Sequence, residues 1–80
     1  MRLPRNLSAQ ELIKALGKIG YEVTRQKGSH IRVTSNFPTQ HHVTIPNHDP
    51  LKIGTLSAIL NDIAQARNAT KEQIARELFG

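Results

Sequence analysis

His30 ends the run Arg25-Gln26-Lys27-Gly28-Ser29-His30, and Arg25, Lys27 and Arg32 bracket it closely in sequence. Imidazole both takes and gives a proton near neutral pH. A proton carrier among cations is the equipment for chemistry on a phosphodiester. RNA carries its own nucleophile, the 2′-hydroxyl. A protein need only deprotonate it, stabilise the crowded phosphorane and help the 5′-oxygen leave. A placed acid or base is worth about 100- to 10,000-fold in rate, and cations aimed at the developing phosphate charge add to that. In this scheme His30 is the general base or the acid, Lys27 and Arg32 steady the phosphate, and Gly28 and Ser29 offer backbone or hydroxyl donors. A full cycle needs a second proton carrier, for which His48 is the candidate and water the alternative. Taken alone, Gly-Ser-His is a weak signal, because a single histidine at a strand edge is more often a solvated surface residue.

The composition narrows the partners. Lys and Arg total 11 against 6 Asp plus Glu in 80 residues, a net charge of +5 with neutral histidines, and the sequence pI is near 10.3. Such a balance favours nucleic acid, an acidic protein or an anionic membrane surface. No apolar run approaches the length that spans a bilayer. The start, Met1-Arg2-Leu3-Pro4-Arg5-Asn6, is basic with no apolar signal core behind it. Cysteine is absent, which excludes disulfides, thiol catalysis and a cysteine-based zinc site. The default expectation is a cytoplasmic protein with no membrane partner. His41 and His42 are adjacent, so on a strand they point to opposite faces and do not readily chelate one ion. No helical His-x-x-x-His spacing occurs among the four histidines, and neither a metal nor a cofactor is expected.

One small domain over residues 1–80 must position these side chains. Ser8 and Glu11 form a capping box, flanked by Leu7 and Leu12 at the spacing of a hydrophobic staple. Leu12, Ile13, Leu16 and Ile19 then share one helical face, and Gly20 is a natural helix stop. The period next becomes two. Tyr21, Val23 and Arg25 alternate with Glu22, Thr24 and Gln26, so plain alternation sets Arg25 on the side of Tyr21 and Val23. A second strand, from about Ser29 to Ser35, turns Ile31 and Val33 one way and His30, Arg32 and Thr34 the other. Lys27-Gly28 suits the turn between these strands, and Asn36-Phe37-Pro38-Thr39 suits the next. A third strand, about Gln40 to Ile45, sets Val43 and Ile45 with His41, against His42 and Thr44. A second helix begins near Ile53 or Gly54 with Leu56, Ile59, Leu60 and Ile63 as its apolar stripe. Arg67-Asn68-Ala69 breaks it, and Thr70 with Gln73 caps a short last helix docked by Ile74, Leu78 and Phe79.

The order α-β-β-β-α, then a short extra helix, implies a two-layer α+β domain with both main helices on the apolar face of an antiparallel three-stranded sheet. The other face is left for solvent or ligand, and it receives His30, Arg32 and Thr34. The loop carrying His48 and Lys52 follows the third strand, which gives those residues a route to the same patch. A one-residue slip in register would turn His30 inward. Tyr21 reads as core packing, and the aromatics are too few for a base-stacking reader of single strands.

Four segments in this order carry a family resemblance. They are Gly20-Tyr21-Glu22, Arg25-Gln26-Lys27-Gly28-Ser29-His30, Val43-Thr44-Ile45-Pro46-Asn47-His48, and Leu51-Lys52-Ile53-Gly54-Thr55-Leu56-Ser57-Ala58-Ile59-Leu60. Over roughly residues 8–64 the chain resembles the HicA toxin family. The resemblance implies an mRNA interferase on a double-stranded-RNA-binding-like fold, with a cognate HicB antitoxin that covers the RNA-cleaving surface. The family's catalytic histidine falls on His30 and its second histidine on His48. Residues 67–80 are longer and more helical than the usual family ending. The expected RNA contacts are Arg25, Lys27, Gly28, Ser29, Arg32 and Lys52, and no DNA is expected for this chain alone. Two other classes compete with a toxin ribonuclease. One is a noncatalytic RNA-binding module of the same fold, which would bind with a steep salt dependence and no cleavage. The other is a protein-interaction subunit whose basic face meets an acidic partner.

Overall fold

Ser8 opens the first helix as its spacing predicts. Its Oγ accepts from the Glu11 amide at 3.1 Å, and the Glu11 carboxylate accepts from the Ser8 amide at 2.9 Å. The computed structural model describes residues 3–80, so Met1 and Arg2 of the basic start lie outside the description. The elements are α1 (Ala9–Gly17), β1 (Glu22–Lys27), β2 (His30–Ser35), β3 (His41–Pro46), α2 (Ile53–Ala66) and α3 (Lys71–Phe79). The helix α1 ends at Gly17, earlier than a stop at Gly20 implies. A turn over Lys18–Gly20 follows, with Gly20 at φ +96° where a side chain is disfavoured.

The strands form one antiparallel sheet in the order β1-β2-β3. Its helix-facing side carries Ile31, Val33, Val43 and Ile45, all buried, and the last three join a core that includes Leu12, Leu16, Tyr21, Leu56, Leu60, Ile63 and Ile74. The helices α1 and α2 supply the second layer, and α3 packs onto α2. This is a double-stranded-RNA-binding-like α+β fold with one added helix. Thr70 and Gln73 close a second reciprocal capping box at the start of α3. Among the described residues no helix is long and apolar enough to cross a membrane.

The strand β1 departs from simple alternation. Val23 pairs with Val33 and Arg25 with Arg32, so β1 spends an extra residue, Thr24, where β2 spends none. This is a β-bulge, which reverses the facing of everything beyond it. Arg25 therefore leaves the side of Val23 and joins the open face, correcting the expectation from alternation. The same step turns Gln26, paired with Ile31, toward the helix layer. Val23 stays on the helix side beside Val33 but is half exposed, because β1 is an edge strand that the helices only partly cover.

A polar network fastens the far end of the sheet to the helices. The Tyr21 hydroxyl lies 2.8 Å from His41 Nδ1, and His41 Nε2 lies 3.2 Å from Asp62 on α2. Arg67, just past α2, donates to the Ile19 carbonyl and to Ser35 Oγ, and its guanidinium carbon lies 5.2 Å from the Tyr21 ring centroid. Burial pushes the Tyr21 hydroxyl's pKa up, so the ring stays a neutral member of the network. His41 is thus spent on the fold, on the opposite face from His42.

Candidate active site

Cross-strand pairing sorts the open face into rows. Lys27, His30 and Pro46 stand abreast, then Arg25, Arg32 and Thr44, then Thr34 and His42 with Glu22 at the edge. Residues directly opposite in an antiparallel sheet project to the same side. Residues of the first two rows, Arg25, Lys27, His30, Arg32 and Thr44, line one cavity of about 310 Å³.

Each element contributes for a local reason. Gly28 and Ser29 form a two-residue turn between β1 and β2, with Gly28 at φ +58°. Glycine first is the pattern of a type II′ hairpin, whose twist matches the flanking strands. That turn sets Lys27 opposite His30. The bulge at Thr24 then brings Arg25 opposite Arg32. Like charges directly opposite across strands oppose folding, and among the described residues the only ion pair is His41 with Asp62, so no carboxylate neutralises either arginine. The Nε of Arg32 is buried without a hydrogen-bond partner. Cations gathered around a histidine and left uncompensated by protein are arranged for an anion.

Four of the residues singled out from sequence, Arg25, Lys27, His30 and Arg32, share this cavity. Gly28 and Ser29 form the hairpin turn between Lys27 and His30 and do not line the cavity. His48 and Lys52 do not line it. The His48 loop is nevertheless anchored beside His30. Pro46 pairs with His30, the Asn47 amide donates to the Ser29 carbonyl at 2.7 Å, and the His48 carbonyl accepts from the Ala9 amide at 2.9 Å. The His48 carbonyl thus caps the first turn of α1, and the residue lies exposed two positions beyond Pro46, the partner of His30. Lys52 precedes α2 as its N-cap residue and makes no side-chain cap.

Thr44 is the cavity residue that sequence reasoning passed over. Its signal was present in the alternation that set His42 and Thr44 on the face opposite Val43, but only the pairing with Arg32 shows that it meets the cations. A second polar chain runs along the next row. Thr24 Oγ1 lies 2.7 Å from Thr34 Oγ1, which lies 2.8 Å from His42 Nδ1. The bulged residue thereby helps to orient a second histidine on the open face.

Chemically, the arrangement offers one proton carrier, three cations and a hydroxyl around one space of about 310 Å³. Among the described residues no three histidine or acidic side chains converge as a metal would require. Comparison with curated proteins and with solved structures gives no significant match. A family model does match: residues 9–66, most of the chain, fit the HicA toxin of bacterial toxin-antitoxin systems, and the chain belongs to that family.

Proposed function

We propose that this protein is a toxin ribonuclease, an mRNA interferase that cleaves RNA by histidine acid-base catalysis without a metal. The observation that carries the reading is the convergence of His30, Arg25, Lys27 and Arg32 on one cavity with no carboxylate to neutralise them. The scissile phosphate occupies the cavity, with its nonbridging oxygens held by the two arginines and Lys27. The 2′-oxygen attacks phosphorus as its proton leaves to a base. The P–O5′ bond then breaks, and the departing oxygen takes a proton from an acid. His30 serves one of these proton transfers, and His48 or a water the other. The products are a 2′,3′-cyclic phosphate and a free 5′-hydroxyl. Charge building on the phosphorane is what the cations stabilise most strongly, so they raise the rate beyond what they add to binding.

The family also supports a HicB-like antitoxin as the partner. By this reading it silences the toxin by covering the cavity and placing acidic groups where the phosphate goes. The protein works on mRNA in the cytoplasm.

The mechanism is tested with a short RNA containing one 2′-deoxy nucleotide at a mapped cleavage position. The expected result is that cleavage stops at that bond alone and that unmodified products end in a cyclic phosphate. Cutting of the deoxy bond at the normal rate would refute an internal nucleophile.

A further inference from the structure

A second concavity adjoins the first. It runs between the free edge of β3 and the N-terminal half of α2, with a volume of about 650 Å³, and is lined by His42, Thr44, Gly54, Thr55, Ala58 and Asp62 together with Val43 and Ile59. Thr44 belongs to both cavities. The two therefore form one track over the edge of the sheet. The helix side of the groove is built from small residues, Gly54, Thr55 and Ala58, on one face of α2, so its width is not filled by protein. A Cβ added at Gly54 would meet no atom within 4 Å.

The polar groups in this groove differ from those around His30. No lysine or arginine lines it, and at its far end stands Asp62, whose carboxylate is held by His41. A phosphate is therefore repelled there. What the groove offers is the Thr44 and Thr55 hydroxyls and the His42 ring, over Val43 and Ile59, which are buried in the core. That ring is fixed through Nδ1 by Thr34 and Thr24, which leaves Nε2 for a ligand. A flat, neutral, hydrogen-bonding group fits this surface, and imidazole is one of the rings on which unstacked RNA bases stack. His42 is two residues from Thr44 along β3, about 7 Å at the rise of a strand.

We infer that the groove between β3 and α2 is a base-binding subsite, which takes the nucleobase flanking the scissile phosphate of a single-stranded RNA and sets cleavage preference at that position. The inference rests on the ribonuclease reading for the phosphate's place. Its test separates the two by measuring binding as well as cleavage. Gly54→Leu fills the groove without adding charge, and leucine is favoured over glycine in a helix, so the fold is retained.

Binding is read by fluorescence anisotropy of a single-stranded RNA with His30→Ala protein, with and without Gly54→Leu. Cleavage of a randomised RNA pool is mapped with wild-type protein and with Gly54→Leu. The expected results are a roughly tenfold weaker affinity for the filled groove and loss of base preference at one position beside the cut. The loss should be carried by KM rather than kcat, and His42→Ala should blur the same position. If no RNA is cleaved by wild type, the ribonuclease reading fails while the binding arm still decides the groove. Unchanged affinity on filling the groove would overturn the proposal, as it would if the groove serves a protein strand instead.

Discussion

Arg25 and Arg32 face each other across β1 and β2 with nothing acidic between them. An opposed like-charge pair of this kind works against folding, by about 0.2–1 kcal/mol. The site is therefore held at some cost to the fold, and removing one charge should separate the two effects. Arg25→Gln is expected to raise the unfolding free energy by a few tenths of a kcal/mol in low salt. It should also weaken RNA binding and flatten the salt dependence of log K by about 0.7, the value of one phosphate contact on a single strand. Urea melts and anisotropy titrations across a salt series measure both. A variant that is both less stable and unchanged in its salt slope would show that Arg25 serves packing and not the anion.

At the scale of elements, the caps were the most legible features, since each depends on two residues at a fixed spacing. Ser8 with Glu11 and Thr70 with Gln73 both close as reciprocal boxes. Ser8→Ala should cost about 1 kcal/mol in a thermal or urea melt. The hydrogen bonds from the Ser8 amide and hydroxyl hold the Glu11 carboxyl below the ordinary glutamate range. A depressed acid stabilises the folded state above its unfolded pKa, and the contribution is lost as pH falls through the folded value. Wild type should therefore lose Tm relative to Glu11→Gln as pH drops below about 4, and parallel curves would deny the box a role.

The bulge at Thr24 was not legible in the same way. The stretch Glu22–Lys27 has one apolar residue, Val23, so no second hydrophobic position marks the change of phase. That single extra residue decides whether Arg25 belongs to the site. The strands β2 and β3 were easier, because Ile31, Val33, Val43 and Ile45 announce their buried face and so put His30 and Arg32 on the other. Arg67 illustrates a further limit. In sequence it marks only a helix break, yet it donates to Ile19 and Ser35 and covers the Tyr21 ring, contacts that exist only once distant elements meet. Arg67→Met keeps the stem and deletes these bonds, and should lower the unfolding free energy by about 2 kcal/mol. An unchanged urea midpoint would mean that water replaces the guanidinium without cost.

For the whole molecule, the two faces of the sheet divide the work. One is joined to the helices by the core and by the Tyr21, His41, Asp62 and Arg67 network. The other carries no helix and holds the cationic rows. A net charge of +5 on 80 residues draws polyanions to the chain from a distance, and the cavity around His30 is where that attraction meets a proton carrier. Residues 9–66 place the chain in the HicA toxin family. The proposed cleavage of RNA turns on a proton moved by His30. Its most direct test is the single-turnover cleavage rate of wild-type and His30→Ala protein on one single-stranded RNA, both in EDTA. Full wild-type activity in chelator is expected, with a loss of about 100- to 10,000-fold in the variant and RNA affinity changed far less. Cleavage by His30→Ala at the wild-type rate, or a wild-type rate abolished by EDTA, would contradict it.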